Sequence, residues 1–514
     1  MEIGDGDVSV ATYITQVAPR LSGSSIISIM LPRGSLESAG ISAGAVLKFV
    51  NNVNQNGAHS YILARHGQVV SQGYWAPYKP QLYHSLWSVT KSFTSTAIGF
   101  AVQEGLVKLD DFVIEYFQDK LSNPPCENMR KMRVEHLLKM TTGHGEDYSM
   151  LWKHSFVNEQ DVIKDADDVY HFLTAYVPDE PGSIFRYNSG ATFMLGAILQ
   201  KASGLNVVEY LKPRLFEPLK IDVRADVNKQ GQNICASGFQ IKPEDLVKFG
   251  LFYINKGKWN GRQLLSPEWI EEATSKQADT AVAGSVAAFD KNWAAGYGYQ
   301  FWLSADGHSF RADGMYGQFV LMSPKSGSVL VMLSGSADVR KLMRDGLDLI
   351  ASIDSDEESN SDADSNVELE EKLRNLQLAL PEGEALDSRP IPSYKYKLSE
   401  NELGFKTIQI ESQILKIWLD EDSELPFLTA PIGQSWTTTI NGENPFGYNL
   451  LIGELAVSGA WSNDNLVIDI IIAETVGGYK FEFSFKSHHV EIFIKKLPDF
   501  SSKFKILGID DKQY

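Results

Sequence analysis

Apolar residues recur at helical spacing through much of the chain and at every second position near its end. Within Ser92–Glu104 (SFTSTAIGFAVQE), Phe93, Ile98, Ala101 and Val102 share a helical face, and Gly105 sits where a left-handed cap ends a helix. A second helix is expected over Ala191–Ser203, closing at Gly204 and following the turn-like Pro181-Gly182 and Tyr187-Asn188-Ser189-Gly190. Asp161–Tyr176, Lys242–Asn255 and Pro267–Ser275 read as further helices, and Lys341–Ile350 as a last one. Ser60–Tyr74 reads as a strand pair turning at His66-Gly67, the edge of a sheet. Short apolar runs between Gly296 and Leu333, broken by Gly, Asp and Pro, add antiparallel strands. A helical cluster beside an antiparallel sheet gives an α+β class for roughly residues 20–352.

Farther on, Leu415-Ile417-Leu419, Ile468-Ile470-Ile472, Tyr479-Phe481-Phe483-Phe485 and Val490-Ile492-Ile494 alternate with polar residues. This predicts an all-β domain over 391–514, either barrel or sandwich, carrying no catalytic constellation. Between the two, Asp354–Asp364 (DSDEESNSDAD) is acidic and nearly devoid of apolar side chains, so burial cannot offset the entropy of ordering it. The organisation expected is therefore 1–352 as the main domain, 353–390 as an acidic linker with a short helix, and 391–514 as the β domain. A calcium loop is excluded in the linker because the glycine turn and distal Glu at fixed offsets are missing.

With 514 residues and 43% apolar content, the chain can bury a large core. Its formal charge of -18 argues against nucleic acid and anionic membranes as partners and favours a small neutral or zwitterionic molecule. Cys126 and Cys235 fit neither a disulfide framework nor a zinc site, and both are expected as buried thiols. The N-terminal stretch has no basic segment leading into an apolar core, and no apolar run is long enough to span a bilayer, which sets the expectation of a cytoplasmic protein. No metal or cofactor is implied.

The candidate chemistry begins at Ser88-Val89-Thr90-Lys91, an S-x-x-K tetrad at a helix start. Positions i and i+3 share a helix face, so the amine can reach the hydroxyl. A serine is a poor nucleophile until a base takes its proton, and a lysine serves only if burial or neighbouring cations lower its pKa. The tetrad alone is unspecific, since Ser502-Lys503-Phe504-Lys505 repeats it in the β domain with nothing around it.

Four blocks in order make the difference: Ser85–Phe117, Met132–Gly143 (MRVEHLLKMTTG), Pro181–Gly204 (PGSIFRYNSGATFMLGAILQKASG) and Pro243–Trp269. Over roughly residues 35–350 the chain resembles the β-lactamase-related serine hydrolases, the family of class C β-lactamases, penicillin-binding proteins and 6-aminohexanoate-dimer hydrolases. The resemblance implies a β-lactamase/transpeptidase-like fold, with Ser88 as acylated nucleophile, Lys91 as its base and Tyr187 as the tyrosine of the family's Y-x-N motif, moving protons between nucleophile and leaving group. Ala312-Asp313-Gly314-Met315 lines up on the family's K-T-G strand. By that alignment the N–H groups of Ser88 and Met315 form the oxyanion hole, and Asn188, Ser189, Ala312, Asp313 and Gly314 line the substrate site. The glycine suits a strand that a substrate approaches closely.

Two departures narrow the expected activity. Tyr187-Asn188-Ser189 puts the amide one residue early, so it is either displaced or replaced by Ser189. Ala312 stands where the family carries a lysine or histidine that anchors a substrate carboxylate; loss of such a contact costs about 1.5 to 3 kcal/mol, roughly ten- to a hundredfold in affinity. Arg311 is expected on the opposite strand face from Ala312, and Asp313, if it faces the cleft, disfavours anions. The expectation is a hydrolase of small esters or amides, with a penicillin-binding protein of slow turnover as the alternative. His144, between glycines, and His308 read as structural, because no second triad signal accompanies them. His488-His489 reads as solvent-facing. Trp293, Tyr297, Tyr299 and Trp302 either line the cleft or fill the core.

Overall fold

A computed structural model of the protein describes residues 29–121, 124–147, 167–228, 231–282, 290–355, 363–401, 403–441, 453–498 and 503–510. These fall into two compact units, one built from 29–74 and 79–376, the other from 75–78 and the residues after 376.

The larger unit is organised on a six-stranded antiparallel sheet. Helix α1 (Ala43–Asn54) leads into β1 (Ala58–Arg65) and β2 (Gln68–Tyr74), a hairpin turning at His66 and Gly67, both with positive φ. The remaining strands are β3 (Trp302–Leu303), β4 (Phe310–Gly314), β5 (Gln318–Ser323) and β6 (Ser328–Ser334), and the order across the sheet is β2-β1-β6-β5-β4-β3. Strands β5 and β6 are buried at every position, which requires cover on both faces. One face is covered by the helix Pro243–Ile254: its Gly250 leaves no room for a methyl, since a Cβ there would lie 2.6 Å from a Val329 methyl carbon. Leu321 and Met332, of opposite strand parity, meet the helix Val339–Asp354, where a Cβ on Gly346 would lie 2.5 Å from the Met332 methyl. The two glycines let helix backbone approach the sheet where larger residues would hold it off.

The helical cluster of this unit holds α2 (Thr90–Gln103), α3 (Val134–Leu138), α4 (Asp168–Thr174) and α5 (Ser189–Ser203). Helix α2 is buried from Thr90 through Ala101 on all faces, as expected of a central helix rather than an amphipathic surface one. The expected helix over Asp161–Tyr176 is present from Asp168 to Thr174, and residues 161–166 lie outside the described residues. Of the acidic stretch, Asp354 closes the Val339–Asp354 helix with a buried carboxylate that accepts from Ser323 Oγ and pairs with His308 Nε2 at 2.8 Å. Residues 356–362 are not described, and the chain is helical again over Ala363–Arg374.

The second unit is a ten-stranded antiparallel sheet that curls into a nearly closed barrel. Its end strands, Leu428–Pro431 and Thr437–Asn441, meet through side chains instead of a ladder: Thr437 Oγ1 donates to the Pro431 carbonyl at 2.6 Å and Thr439 Oγ1 to that of Thr429 at 3.5 Å. The alternating apolar residues seen in the sequence form one continuous core, with Phe405, Phe481 and Phe483 stacked within it. Trp75–Tyr78 belongs to this unit. Tyr78 packs with Ala456 and Ile471 and donates its hydroxyl to the Thr475 carbonyl at 3.0 Å, while Ala76 bridges to Gln377. Among the described residues no helix is long and apolar enough to cross a membrane.

Candidate active site

Ser88 sits in a single 3-10 turn, Trp87–Val89, that runs directly into α2. Trp87 has a φ of 50°, a left-handed conformation that costs a non-glycine residue energy and bends the chain sharply before the serine. One turn on, Lys91 is buried at 2% exposure, with its Nζ 2.9 Å from Ser88 Oγ and 2.9 Å from the Ala236 carbonyl. That carbonyl can only accept, so it takes one amine hydrogen in either protonation state and leaves the rest of the amine turned towards the serine. Burial lowers the Lys91 pKa to about 7, against the opposing effect of the Asp147 carboxylate.

Tyr187 closes the other side. It lies just before α5, its ring under the Lys91 ammonium with 5.0 Å from Nζ to the centroid, and its hydroxyl is close enough to Ser88 for that hydroxyl to lower its pKa. Trp302 stacks on the ring at 5.9 Å and Tyr297 meets it edge-on at 6.4 Å. Burial raises the Tyr187 pKa; the Ser88 hydroxyl lowers it less, and Asp313 and Asp147 push it up further, so the group is held as a neutral phenol. Ser88 and Lys91, one helical turn apart, therefore share one site with Tyr187, about a hundred residues farther along the chain.

The K-T-G-like strand reaches the same place. Gly314, the last residue of β4, packs so closely on the Ser88 turn that a Cβ would lie 2.5 Å from the Leu86 carbonyl oxygen. Tyr316 and Gly317 both have positive φ, and the Tyr316 ring meets Trp87 edge-on at 5.0 Å. Met315, between Gly314 and Tyr316, is 48% exposed, with its carbonyl held by Gln318 Nε2 at 3.0 Å. Gln318 also bonds both the N–H and the carbonyl of Ser334, which fixes the turn against β6.

Two of the expected substrate contacts are engaged elsewhere. Asn188 is fully buried as the N-cap of α5: its Oδ1 accepts from Gly190 N at 3.0 Å and its Nδ2 faces Thr142 Oγ1 at 3.4 Å, so the amide is turned into the protein. The reason is local, since a helix start demands a capping side chain and Asn188 supplies it. Ala312 is fully buried and its methyl belongs to the main apolar core, so no ligand reaches it. Ser189 stays at the site, where its N–H donates to Asp147 Oδ1 at 2.7 Å. Asp313, nearly buried, accepts from Trp293 Nε1 at 2.7 Å and pairs with Arg311 Nε at 3.4 Å. Arg311 is wholly buried, its guanidinium also held by the carbonyls of Asn292 and Leu303, so it offers no free cation. The aromatic cluster divides: Tyr297 and Tyr299 fill the core, and Trp302 and Trp293 pack on Tyr187 and Asp313.

His144 is buried, its ring tilted against Phe172 at 4.6 Å and bonded to Thr142 Oγ1 at 3.0 Å; burial lowers its pKa to about 4. His308 pairs with Asp354 and Asp306, and His488 with Asp510. Cys235 is buried, whereas Cys126 is only half-buried. Among the described residues no group of three or more His, Cys, Asp or Glu is placed to hold a metal. Asp147, the Ala236 carbonyl and Gln318 are the site groups that sequence reasoning missed. None belongs to a short motif, although Asp147 lies four residues beyond the Met132–Gly143 block.

A fold of this architecture with a serine, a lysine and a tyrosine converging beside a glycine-ended strand defines a class, and the comparisons agree. Residues 52–354 match the family model described as Beta-lactamase, and the chain belongs to that family of hydrolases. It is 26% identical over 290 residues to a 6-aminohexanoate-dimer hydrolase of Paenarthrobacter ureafaciens, covering 54% of this chain and 73% of that protein. It is 28% identical over 138 residues to a beta-lactamase of Yersinia enterocolitica, covering 27% and 32%. The solved structure of a Bacillus anthracis protein assigned as a 6-aminohexanoate-dimer hydrolase superposes with a TM-score of 0.50 at 20% identity, over 59% of this chain and 80% of that one, and shares its fold.

Proposed function

We propose that the protein hydrolyses small esters or amides through an acyl-enzyme on Ser88. The observation that carries this is the 2.9 Å contact between Ser88 Oγ and a buried lysine whose pKa is lowered to about 7. At neutral pH a large fraction of that amine is unprotonated and can take the serine proton as Oγ attacks the carbonyl carbon. The N–H groups of Ser88 and Met315 receive the negative charge on the carbonyl oxygen. The proton passes from Lys91 through the Tyr187 phenol to the leaving oxygen or nitrogen, the bond to the leaving group breaks, and an ester to Ser88 remains. Water, deprotonated by the same pair, then releases the acid and restores the serine.

The surroundings favour substrates without a carboxylate near the scissile bond. Asp147 and Asp313 both bear on Tyr187, Arg311 is held by buried partners, and position 312 supplies no cation. The relative acting on a 6-aminohexanoate dimer supports an amide among the substrates. The test is a panel of p-nitrophenyl esters, aminoacyl anilides and a chromogenic cephalosporin, run with wild type and Ser88→Ala and paired with fluorophosphonate labelling. Labelling and turnover of esters or anilides are expected to vanish in Ser88→Ala. Labelling of Ser88→Ala as strong as wild type ends the proposal.

A further inference from the structure

A single buried amide joins the three segments that carry the site. Gln300 lies in the short loop between the bridged residues Tyr297 and Trp302, with a φ of 64°, a left-handed backbone that a glutamine adopts only when its surroundings hold it there. It is 2% exposed, and each of its polar side-chain atoms has a protein partner. Its Oε1 accepts from Thr192 Oγ1 at 2.6 Å, on α5, five residues beyond Tyr187. Its Nε2 donates to the carbonyls of Leu137 at 3.1 Å and Leu138 at 2.8 Å, at the end of α3. Its backbone carbonyl accepts from Ser92 Oγ at 2.8 Å, on α2, the residue after Lys91.

The α3 connection matters because the chain leaving that helix holds both flanks of Tyr187. The Met140 carbonyl accepts from Arg186 N at 2.9 Å, and Met140 Sδ accepts from Asn188 N at 3.3 Å. Lys91 lies on α2 and Tyr187 in the loop just before α5, and no direct hydrogen bond between them sets their spacing; the 5.0 Å from amine to ring is a packing distance. Four bonds from one residue do span the two helices and the support of the tyrosine. A buried amide whose partners are all in place resists displacement, since moving any element leaves a donor or acceptor unpaired away from water.

We infer that Gln300 is a positioning residue that fixes the Lys91 amine and the Tyr187 phenol in register around Ser88, so that proton transfer, rather than substrate binding, depends on it. This rests on the serine hydrolase reading above. Proton transfer needs donor and acceptor within hydrogen-bond reach, and a misplacement on the order of 1 Å can cost about a hundredfold in rate.

The experiment uses the full chain and an ester whose turnover is shown to require Ser88. Gln300→Met keeps the length of the side chain and removes its bonds; Thr192→Val removes only one bond at unchanged shape, and Thr192→Ser keeps the hydroxyl. For Gln300→Met and Thr192→Val we expect kcat to fall about tenfold or more with KM held within about twofold. The rising limb of the pH–rate profile should move, because the environment of the Lys91 amine changes with its register. Thr192→Ser should restore the wild-type kcat and limb. If Gln300→Met fails to fold, the Thr192 pair decides. A folded Thr192→Val enzyme with wild-type kcat and pH limb, or equal impairment in Thr192→Ser and Thr192→Val, overturns the inference. Turnover of the ester that survives Ser88→Ala would bring down the underlying reading instead, so the two failures are distinguishable.

Discussion

At the scale of the residue, the contest inside the site is between burial and charge on Lys91. Burial lowers the pKa and Asp147 raises it, and burial wins, leaving the amine at about 7. The unprotonated amine is the active base, so kcat/KM is expected to rise as pH increases through about 7 and to level off above it. Tyr187 is held protonated, so no falling limb is expected before about pH 10, where an ordinary tyrosine ionises. A pH–rate profile on an activated ester checks both limbs. Asp147→Asn keeps an oxygen for the Ser189 N–H and removes the charge, so it should shift the rising limb to lower pH. Lys91→Met should erase the limb and about 10² to 10⁴ of the rate. The serine, lysine and tyrosine were legible in the sequence because two lie one helical turn apart and the third sits in a recognisable block. Asn188 and Ala312 misled because a motif position says which residue stands there, and the helix cap and the core packing decide where it points. Gln300 left no local trace, because its side-chain partners lie more than a hundred residues away.

At the scale of the element, the strand before the nucleophile carries its own pH dependence. His84–Ser85 pairs with Gln240 and Ile241, and His84 Nδ1 lies 3.0 Å from the Ser85 carbonyl. A carbonyl only accepts, so Nδ1 holds a hydrogen; in the neutral His84 that burial favours, Nε2 accepts and His59 Nδ1 at 2.9 Å is the donor. Protonation of His84 would reverse that second contact. Burial lowers the His84 pKa to about 4 and holds His59 well below its usual value. A depressed histidine contributes stability above the unfolded pKa of about 6.5 that is lost as pH falls towards 4. For His84 alone the full loss is about 3 kcal/mol. Urea midpoints at pH 7.5 and pH 5 should therefore differ, and His84→Gln, which cannot titrate, should remove much of the difference. Equal slopes in both proteins would refute the assignment. A two-residue strand gives no period to read, which is why the sequence revealed the long helix over α2 but not this element.

At the scale of the molecule, the alternation that predicted an all-β domain could not choose between barrel and sandwich. Closure depends on register and on how the end strands meet, here through threonine hydroxyls, and period two is the same in either case. The two units have separate apolar cores, so calorimetry is expected to resolve two transitions. Phe481→Ala, at the centre of the barrel core, should cost about 3 to 5 kcal/mol and lower one transition by roughly 10 °C or more while leaving the other in place. Trp75–Tyr78 adds a constraint in time. The segment leaves the ribosome early, yet its partners begin at Gln377, roughly 300 residues later. At about 5 to 20 residues per second, Tyr78 waits on the order of 15 to 60 s for the segments that carry Ala456, Ile471 and Thr475. During synthesis the chain therefore carries the Tyr78 side chain without its late partners, four residues beyond the hairpin that edges its first sheet, and a truncation at residue 376 would make that loss permanent.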